Sequence, residues 1–242
     1  MRVGILNLPF DNNYGGNLQR YALARVLWEM GHDVKHINLR NSYCLPFYKK
    51  PYCYAKRLLM KLLGSKSSIF LEQERKREDE RMEINAQKFY ERYVSHTRAV
   101  YGVKEIGQVC RENKFQAVVV GSDQVWRNGM VKGVLGLNNY MLGFIHDEHI
   151  KKIAYAVSLG TEQRLGSAQV QRYSKFYNKF SAVSVRESQS VALFDEYGWT
   201  EPRAQHVLDP VFLLKKEDYV TLTEKETVEH AAKNTYLTPI KG

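Results

Sequence analysis

Three cysteines in 242 residues, Cys44, Cys53 and Cys110, are too few and too scattered to build a disulfide framework. Cys44 and Cys53 are separated by eight residues with no histidine nearby, which excludes a zinc-type pair and leaves reduced thiols in a cytoplasmic protein as the expectation. Long apolar runs are also missing. Nothing approaches the ~18 apolar residues of a membrane span, and Asp11 cuts off the N-terminal apolar run before an export signal develops. The G-x-G-x-x-G dinucleotide fingerprint and the P-loop lysine are absent. The histidines show no metal-type spacing beyond the His146/His149 pair, which is read as surface. No Ser/His/Asp or Cys/His nucleophile motif, internal repeat or low-complexity tract is found.

What is present is an ordinary globular composition: 44% hydrophobic and 12% aromatic residues exclude intrinsic disorder, collagen and coiled coil. The length allows one large domain or two small ones. Lys and Arg outnumber Asp and Glu by 36 to 26, a formal charge of +10. Six of those bases, Lys49, Lys50, Lys56, Arg57, Lys61 and Lys66, fall in residues 42–68 with no acid among them. Tyr54, Leu58, Leu59, Leu62 and Leu63 recur there at helical spacing, so the Lys49–Lys66 segment reads as a basic amphipathic helix suited to an anionic membrane surface. The alternative is a solvated helix that docks its leucines on the core. Glu72–Arg81 mixes both signs at helical spacing and reads as a solvent-facing helix. Nucleic-acid binding is not expected, because the bases cluster in one segment without a recognised module.

The order of elements is that of a Rossmann-like, doubly wound parallel α/β sheet. Val3–Leu8 is an apolar run that ends in the polar, glycine-bearing loop Asp11–Asn17; a helical pattern follows through Leu18, Tyr21, Ala22, Val26 and Leu27 to Gly31, then a strand over Val34–Leu39. After residue 100 the pattern resumes with a helix over Lys104–Asn113 and strands at Ala117–Val120, Ile153–Val157 and Ala182–Val185. Helices are expected over about 164–180 and 188–197. Continuous apolar strands mean a sheet covered on both faces.

Ligands of such sheets bind at the carboxyl ends of the strands. Four strand ends here carry polar residues: Asn13-Tyr14-Gly15-Gly16-Asn17 with Gln19, Gly121-Ser122-Asp123-Gln124 with Trp126, Ser158 before Gly160, and Arg186-Glu187. Each also has a plain structural reading. The two glycines suit a tight turn and helix cap as well as a phosphate loop; Ser122 or Asp123 suits an N-cap; Trp126 suits the core as well as a sugar platform. Arg186, at the end of an apolar strand, is either neutralised by Glu187 or another acid, or awaits an anionic ligand. Asp209-Pro210 reads as a structural turn.

Taken in order and spacing, five blocks resemble the polysaccharide pyruvyl transferase family: Asn13-Tyr14-Gly15-Gly16-Asn17-Leu18-Gln19 with Tyr21-Ala22-Leu23, Val120 to Trp126, Tyr155 to Gly160, Ser184 to Glu187, and Val207 to Val211. The resemblance implies one half of a glycosyltransferase-B-like architecture. It implies transfer of the pyruvyl group of phosphoenolpyruvate, as donor substrate and with no cofactor, to a saccharide as a cyclic ketal. The acceptor would be a precursor of bacterial cell-surface polysaccharide, lipid-linked at the inner membrane face. Arg186 would clamp the anionic donor and Asp123 would orient or deprotonate a sugar hydroxyl. Trp126 would support the ring, and Tyr14–Asn17 would line the cleft floor. Residues 1–214 would form the Rossmann-like domain, with a helical insertion at about 42–95. Residues 215–242 would be a tail holding one helix around Glu217–Lys233, the second Rossmann-like half being missing. Alternatives are an inactive sugar- or partner-binding form, or a nucleotide-sugar glycosyltransferase.

Overall fold

The computed structural model describes residues 1–43, 47–64, 68–131, 135–160 and 164–231. Cys44, Lys66 and Lys233 lie outside them. The strands are β1 (Arg2–Leu6), β2 (Asp33–His36), β3 (Ala117–Gly121), β4 (Lys151–Val157), β5 (Ala182–Val185) and β6 (Gln205–His206). All pair in parallel in the order β2-β1-β3-β4-β5-β6. The helices are α1 (Tyr14–Glu29), α2 (Lys50–Leu62), α3 (Leu71–Met82), α4 (Ile84–Tyr93), α5 (Val103–Glu112), the short α6 (Asn128–Val131) and α7 (Leu137–Tyr140), α8 (Ser167–Tyr177), α9 (Ser188–Glu196) and α10 (Lys216–Ala231).

The doubly wound α/β expectation holds. In β3, Val118 and Val120 join one core with Ile106, Val109, Tyr177 and Phe194, whereas Ala117 and Val119 join a second with Val3, Ile5 and Leu23 of α1. Alternate residues thus enter opposite layers, which is why the strand is apolar throughout. Cys110 lies in the first core, where burial pushes its thiol up to about 12, the mark of an inert structural cysteine. His146 and His149 are exposed, as expected.

Two elements lay outside the expectation, and a third decides between two open readings. Helix α4 packs Ala86 and Tyr90 against Phe10, a half-buried stripe hidden in a sequence otherwise dominated by charge. Strand β6 is two exposed polar residues, too short for any periodic signal. Most consequentially, α2 does not bury its leucines: Leu58, Leu59, Leu62 and Leu63 are 50%, 58%, 78% and 75% exposed. The helix rests instead on Cys53, Tyr54 and Arg57, which are its half-buried residues.

Candidate functional site

Strand β1 lies between β2 and β3, so the chain leaves β1 toward one edge and returns to build the other. This makes the carboxyl ends of β1 and β3 the switch point at which doubly wound sheets open a ligand crevice. The crevice is built from a fixed polar lattice. Asn7, buried at the end of β1, donates through Nδ2 to the Gly121 carbonyl at the end of β3. Its Oδ1 is therefore an acceptor for His36 Nε2 at 3.1 Å, and His36 Nδ1 in turn accepts from Tyr90 Oη at 2.6 Å. Burial first, and the nearby positive charge of Arg20 second, hold the His36 pKa well below that of a free imidazole, so the ring is neutral.

Arg20 is almost wholly buried, yet among the described residues no carboxylate bonds to it. Nη1 donates to Asn17 Oδ1 at 2.8 Å, and Nη2 to the carbonyls of Leu8 and Pro9 at 2.9 and 3.0 Å. Asn17 Nδ2 donates to the Asp11 carbonyl at 3.1 Å. These bonds hold the loop after β1 against the start of α1. Asn13 caps that helix, its Oδ1 accepting from the Gly16 amide at 3.1 Å. Tyr14 and Gly15 are exposed, and among the described residues their amides have no acceptor. Neither Gly15 nor Gly16 adopts a left-handed backbone. A Cβ on Gly16 would stand 3.6 Å from its nearest neighbour, an ordinary contact, whereas one on Gly15 would press to 3.3 Å from Asn13 Oδ1, the oxygen that caps the helix.

The loop after β3 is strained. Ser122 and Asp123 are consecutive non-glycine residues in the left-handed region, φ 47° and 69°, each costing roughly 1–2 kcal/mol. Gly121 before them is compelled, since a Cβ there would lie 2.2 Å from the Tyr155 carbonyl oxygen. Ser122 is 0% exposed and its hydroxyl has no hydrogen-bond partner among the described residues. The Asp123 carbonyl accepts from the amides of Val125 and Ser158 at 2.8 and 3.0 Å. Its half-buried carboxylate, in contrast, accepts no hydrogen bond among the described residues. Trp126 belongs to the core: it is 3% exposed, packs edge-on against Tyr177 and Phe180, and donates its indole N–H to the Tyr140 carbonyl at 3.1 Å. Of the two readings open for Trp126, the core is the one observed, and at that burial the ring presents no platform to a sugar.

Beyond the switch point, a second set of side chains links β4, β5 and α1. Ser158 Oγ donates to Glu187 Oε1 at 2.7 Å and accepts the Gly160 amide at 3.0 Å. Arg186 is held by two acids: Nε meets Glu187 Oε1 at 3.3 Å and Nη1 meets Asp209 Oδ2 at 3.1 Å. Gln19 of α1 donates to the same Asp209 oxygen, and Asp209 Oδ1 caps Val211 at 3.1 Å. Burial works against the charge on Arg186, but the two carboxylates outweigh it and raise its pKa above that of a free guanidinium. Of the two readings open for Arg186, pairing with Glu187 and a second acid is the one observed. Asp209 is more than a turn residue. Arg186 Nη2 makes no hydrogen bond among the described residues.

Two cavities flank the switch point. One, about 730 Å³, is lined by Gln124, Ser158, Gly160, Arg164, Arg186 and Glu187; Gln124 accepts from Arg127 and Arg164 pairs with Glu196. The other, about 740 Å³, lies between Phe10, Asn38, Arg40, Glu83, Gln87 and Tyr101. There Arg40 stacks 4.0 Å over the Phe10 ring and bonds Asn38 and Gln87, both at 2.6 Å. Among the described residues no group of three or more His, Cys, Asp or Glu could hold a metal ion.

The structure thus brings Asn13 to Asn17, Gly121 to Gln124, Ser158, Arg186 and Glu187 to one edge, with Gln19 behind them, and sets Trp126 apart. Asn7, Arg20, His36 and Arg40 are additions that sequence reading missed; only the Asn17/Arg20 spacing of one helical turn hinted at any of them. These features define a doubly wound α/β domain with a polar, strained crevice at its carboxyl edge. The family model of polysaccharide pyruvyl transferases matches residues 13–238, and the chain belongs to that family. A search of curated proteins and a search of solved structures returned no match. Within the described residues no helix is long and apolar enough to cross a membrane.

Proposed function

We infer that the crevice transfers the pyruvyl group of phosphoenolpyruvate to two hydroxyls of a saccharide. In this reaction the methylene carbon gains a proton, the two sugar oxygens bond to the adjacent carbon, and phosphate leaves. Of the two hydroxyl protons released, one balances the methyl group and the other departs with phosphate. The observation that carries this reading, besides family membership, is the strained Ser122-Asp123 pair, with a buried unpartnered hydroxyl and a carboxylate that accepts nothing from the protein. Strain and unmet hydrogen bonding together suit a site kept ready for ligand hydroxyls.

In this reading Asp123 accepts a proton from, or orients, an acceptor hydroxyl. Arg186 Nη2 takes an anionic oxygen of the donor without displacing either acid. The first turn of α1 lets the donor approach bare backbone at Gly15 and Gly16. The amides, carboxylates and aromatic rings around Arg40 suit a sugar, so the second cavity is read as the acceptor side. The acceptor itself is read as a lipid-linked precursor of cell-surface polysaccharide, at the inner face of the membrane.

One observation favours a second reading, saccharide binding without turnover: Arg186 is already neutralised twice over. Acceptor-dependent phosphate release from phosphoenolpyruvate separates the two. Release that falls at least a hundredfold in Asp123→Asn, with the unfolding midpoint unchanged, supports transfer. Saccharide binding without release supports the second reading. Unchanged phosphoenolpyruvate affinity in Arg186→Ala removes the role given to Arg186.

A further inference from the structure

At 3.6 residues per turn, α2 divides into two faces. Cys53, Tyr54 and Arg57 form the face turned to the protein. Tyr54 packs on Phe70 with ring centroids 5.5 Å apart. Arg57 makes two hydrogen bonds of 2.6 Å to Glu72 and a third of 3.1 Å to the Ile69 carbonyl, which clamps α2 to the start of α3. The opposite face carries Tyr52, Leu58, Leu59, Leu62 and Leu63, all exposed. Just before the helix, Phe47 and Tyr48 are 88% and 74% exposed. An outward stripe of leucines on a helix already fixed on its other side is not a core element waiting for a partner within this fold.

The charges name the occupant. Residues 47–64 contain no acid, and among the described residues Arg57 is the one base of the segment answered by a neighbour's carboxylate. Lys49 and Lys56, both exposed, make no ion pair among the described residues, and at about 100° per residue they flank the stripe beside Tyr52, Leu59 and Leu63, whereas Lys50 and Lys61 lie on the Arg57 side. A second copy of this chain laid on the same stripe would bring two sets of lysines together with no acid to offset them. An anionic lipid surface offers what both features need: apolar depth for the leucines and negative charge for the lysines beside them.

We propose that α2 is an interfacial helix that lays Leu58, Leu59, Leu62 and Leu63 into the headgroup boundary of an anionic bilayer, with Lys49 and Lys56 on the lipid phosphates. Phe47 and Tyr48 sit at the same level as aromatic anchors. The proposal rests on α2 alone and holds whether or not the crevice transfers pyruvyl groups.

The test is co-sedimentation of the full chain with vesicles of phosphatidylcholine alone and of phosphatidylcholine mixed equally with phosphatidylglycerol. The wild type is expected to sediment with the mixed vesicles, to stay in solution with the neutral ones, and to be released by salt. Leu59→Gln with Leu62→Gln is expected to weaken partitioning at least roughly tenfold, and Lys49→Gln with Lys56→Gln by roughly twenty-five-fold, about fivefold for each lysine. Because these side chains are exposed, their loss leaves the urea midpoint unchanged. Failure to bind mixed vesicles overturns the proposal. So does leucine-variant binding equal to wild type, which would leave only diffuse positive charge. Self-association in the ultracentrifuge that the leucine changes abolish would assign the stripe to a second copy instead.

Discussion

The loop after β3 makes an unusual prediction, that removing a side chain from the centre of the crevice stabilises the protein. Ser122 is buried, left-handed at φ 47° and unpartnered at its hydroxyl. Changing Ser122→Gly removes a backbone strain of roughly 1–2 kcal/mol and a buried unsatisfied hydroxyl costing about 1–3 kcal/mol. Against this stand the greater freedom of glycine in the unfolded chain, roughly 0.5–1 kcal/mol, and the lost burial of one methylene, ~0.8 kcal/mol. The balance is a gain centred on about 2 kcal/mol, or about 4–8 °C in Tm for a domain of this size. Urea unfolding at neutral pH measures it. Ser122→Ala separates the two causes, because alanine drops the hydroxyl but keeps the strained backbone. On the same terms the two variants should agree to within about 1 kcal/mol, because the strain relieved in Ser122→Gly is offset by glycine's freedom and the lost methylene. If the crevice reserves the hydroxyl for a ligand, both variants lose saccharide affinity while Ser122→Gly gains stability. A Ser122→Gly protein destabilised by 1 kcal/mol or more would refute the reasoning: the hydroxyl would then have a partner in solution, and the left-handed turn would not be strained.

Three further outcomes follow from the same geometry. Glu187→Gln removes one of the two negative charges on Arg186 while leaving an oxygen for Ser158, so phosphoenolpyruvate affinity measured by calorimetry should rise severalfold; a fall would mean that Glu187 holds Arg186 in its binding position. Trp126→Ala should cost about 3–5 kcal/mol of stability, as a large buried aromatic does, while the folded fraction binds saccharide normally; a selective loss of sugar affinity would contradict the core placement. His36 is held neutral with its pKa depressed, so below the unfolded value near 6.5 the unfolded chain binds a proton that the folded one refuses. Stability should fall with acid below that point by up to about 1.4 kcal/mol per pH unit from this residue, a slope that His36→Gln would flatten relative to wild type in urea titrations at pH 7.5 and 5.5.

The strands were legible because their signal is local. Ala117 to Val120 is apolar at every position, which only a strand covered on both faces requires, and the polar residues that follow each strand mark the carboxyl edge. Gly121 was legible as a strand end, although its necessity, a Cβ 2.2 Å from the Tyr155 carbonyl, depends on β4. What sequence reading could not reach is pairing at a distance. Asp209 read as a turn residue because its cap on Val211 is local; its bonds to Arg186 and Gln19 span 23 and 190 residues. His36, Asn7 and Tyr90 are unremarkable singly and become a lattice only when β1, β2 and α4 converge.

Helix α2 shows the same limit in a different form. Periodicity gave its two faces and composition gave its charge, but neither decides which face meets the protein. That choice is made by Glu72, fifteen residues from Arg57. By holding Arg57, Glu72 turns that face of α2 to the protein and leaves the leucines, with Lys49 and Lys56 beside them, to the outer one. A sequence with the same α2 but no acid at position 72 would have no fixed reason to turn its leucines outward. The orientation, and with it any membrane affinity, should therefore be sensitive to Glu72→Gln even though residue 72 touches no lipid. Vesicle binding that is indifferent to Glu72→Gln would mean that α2 finds the bilayer without its clamp to α3.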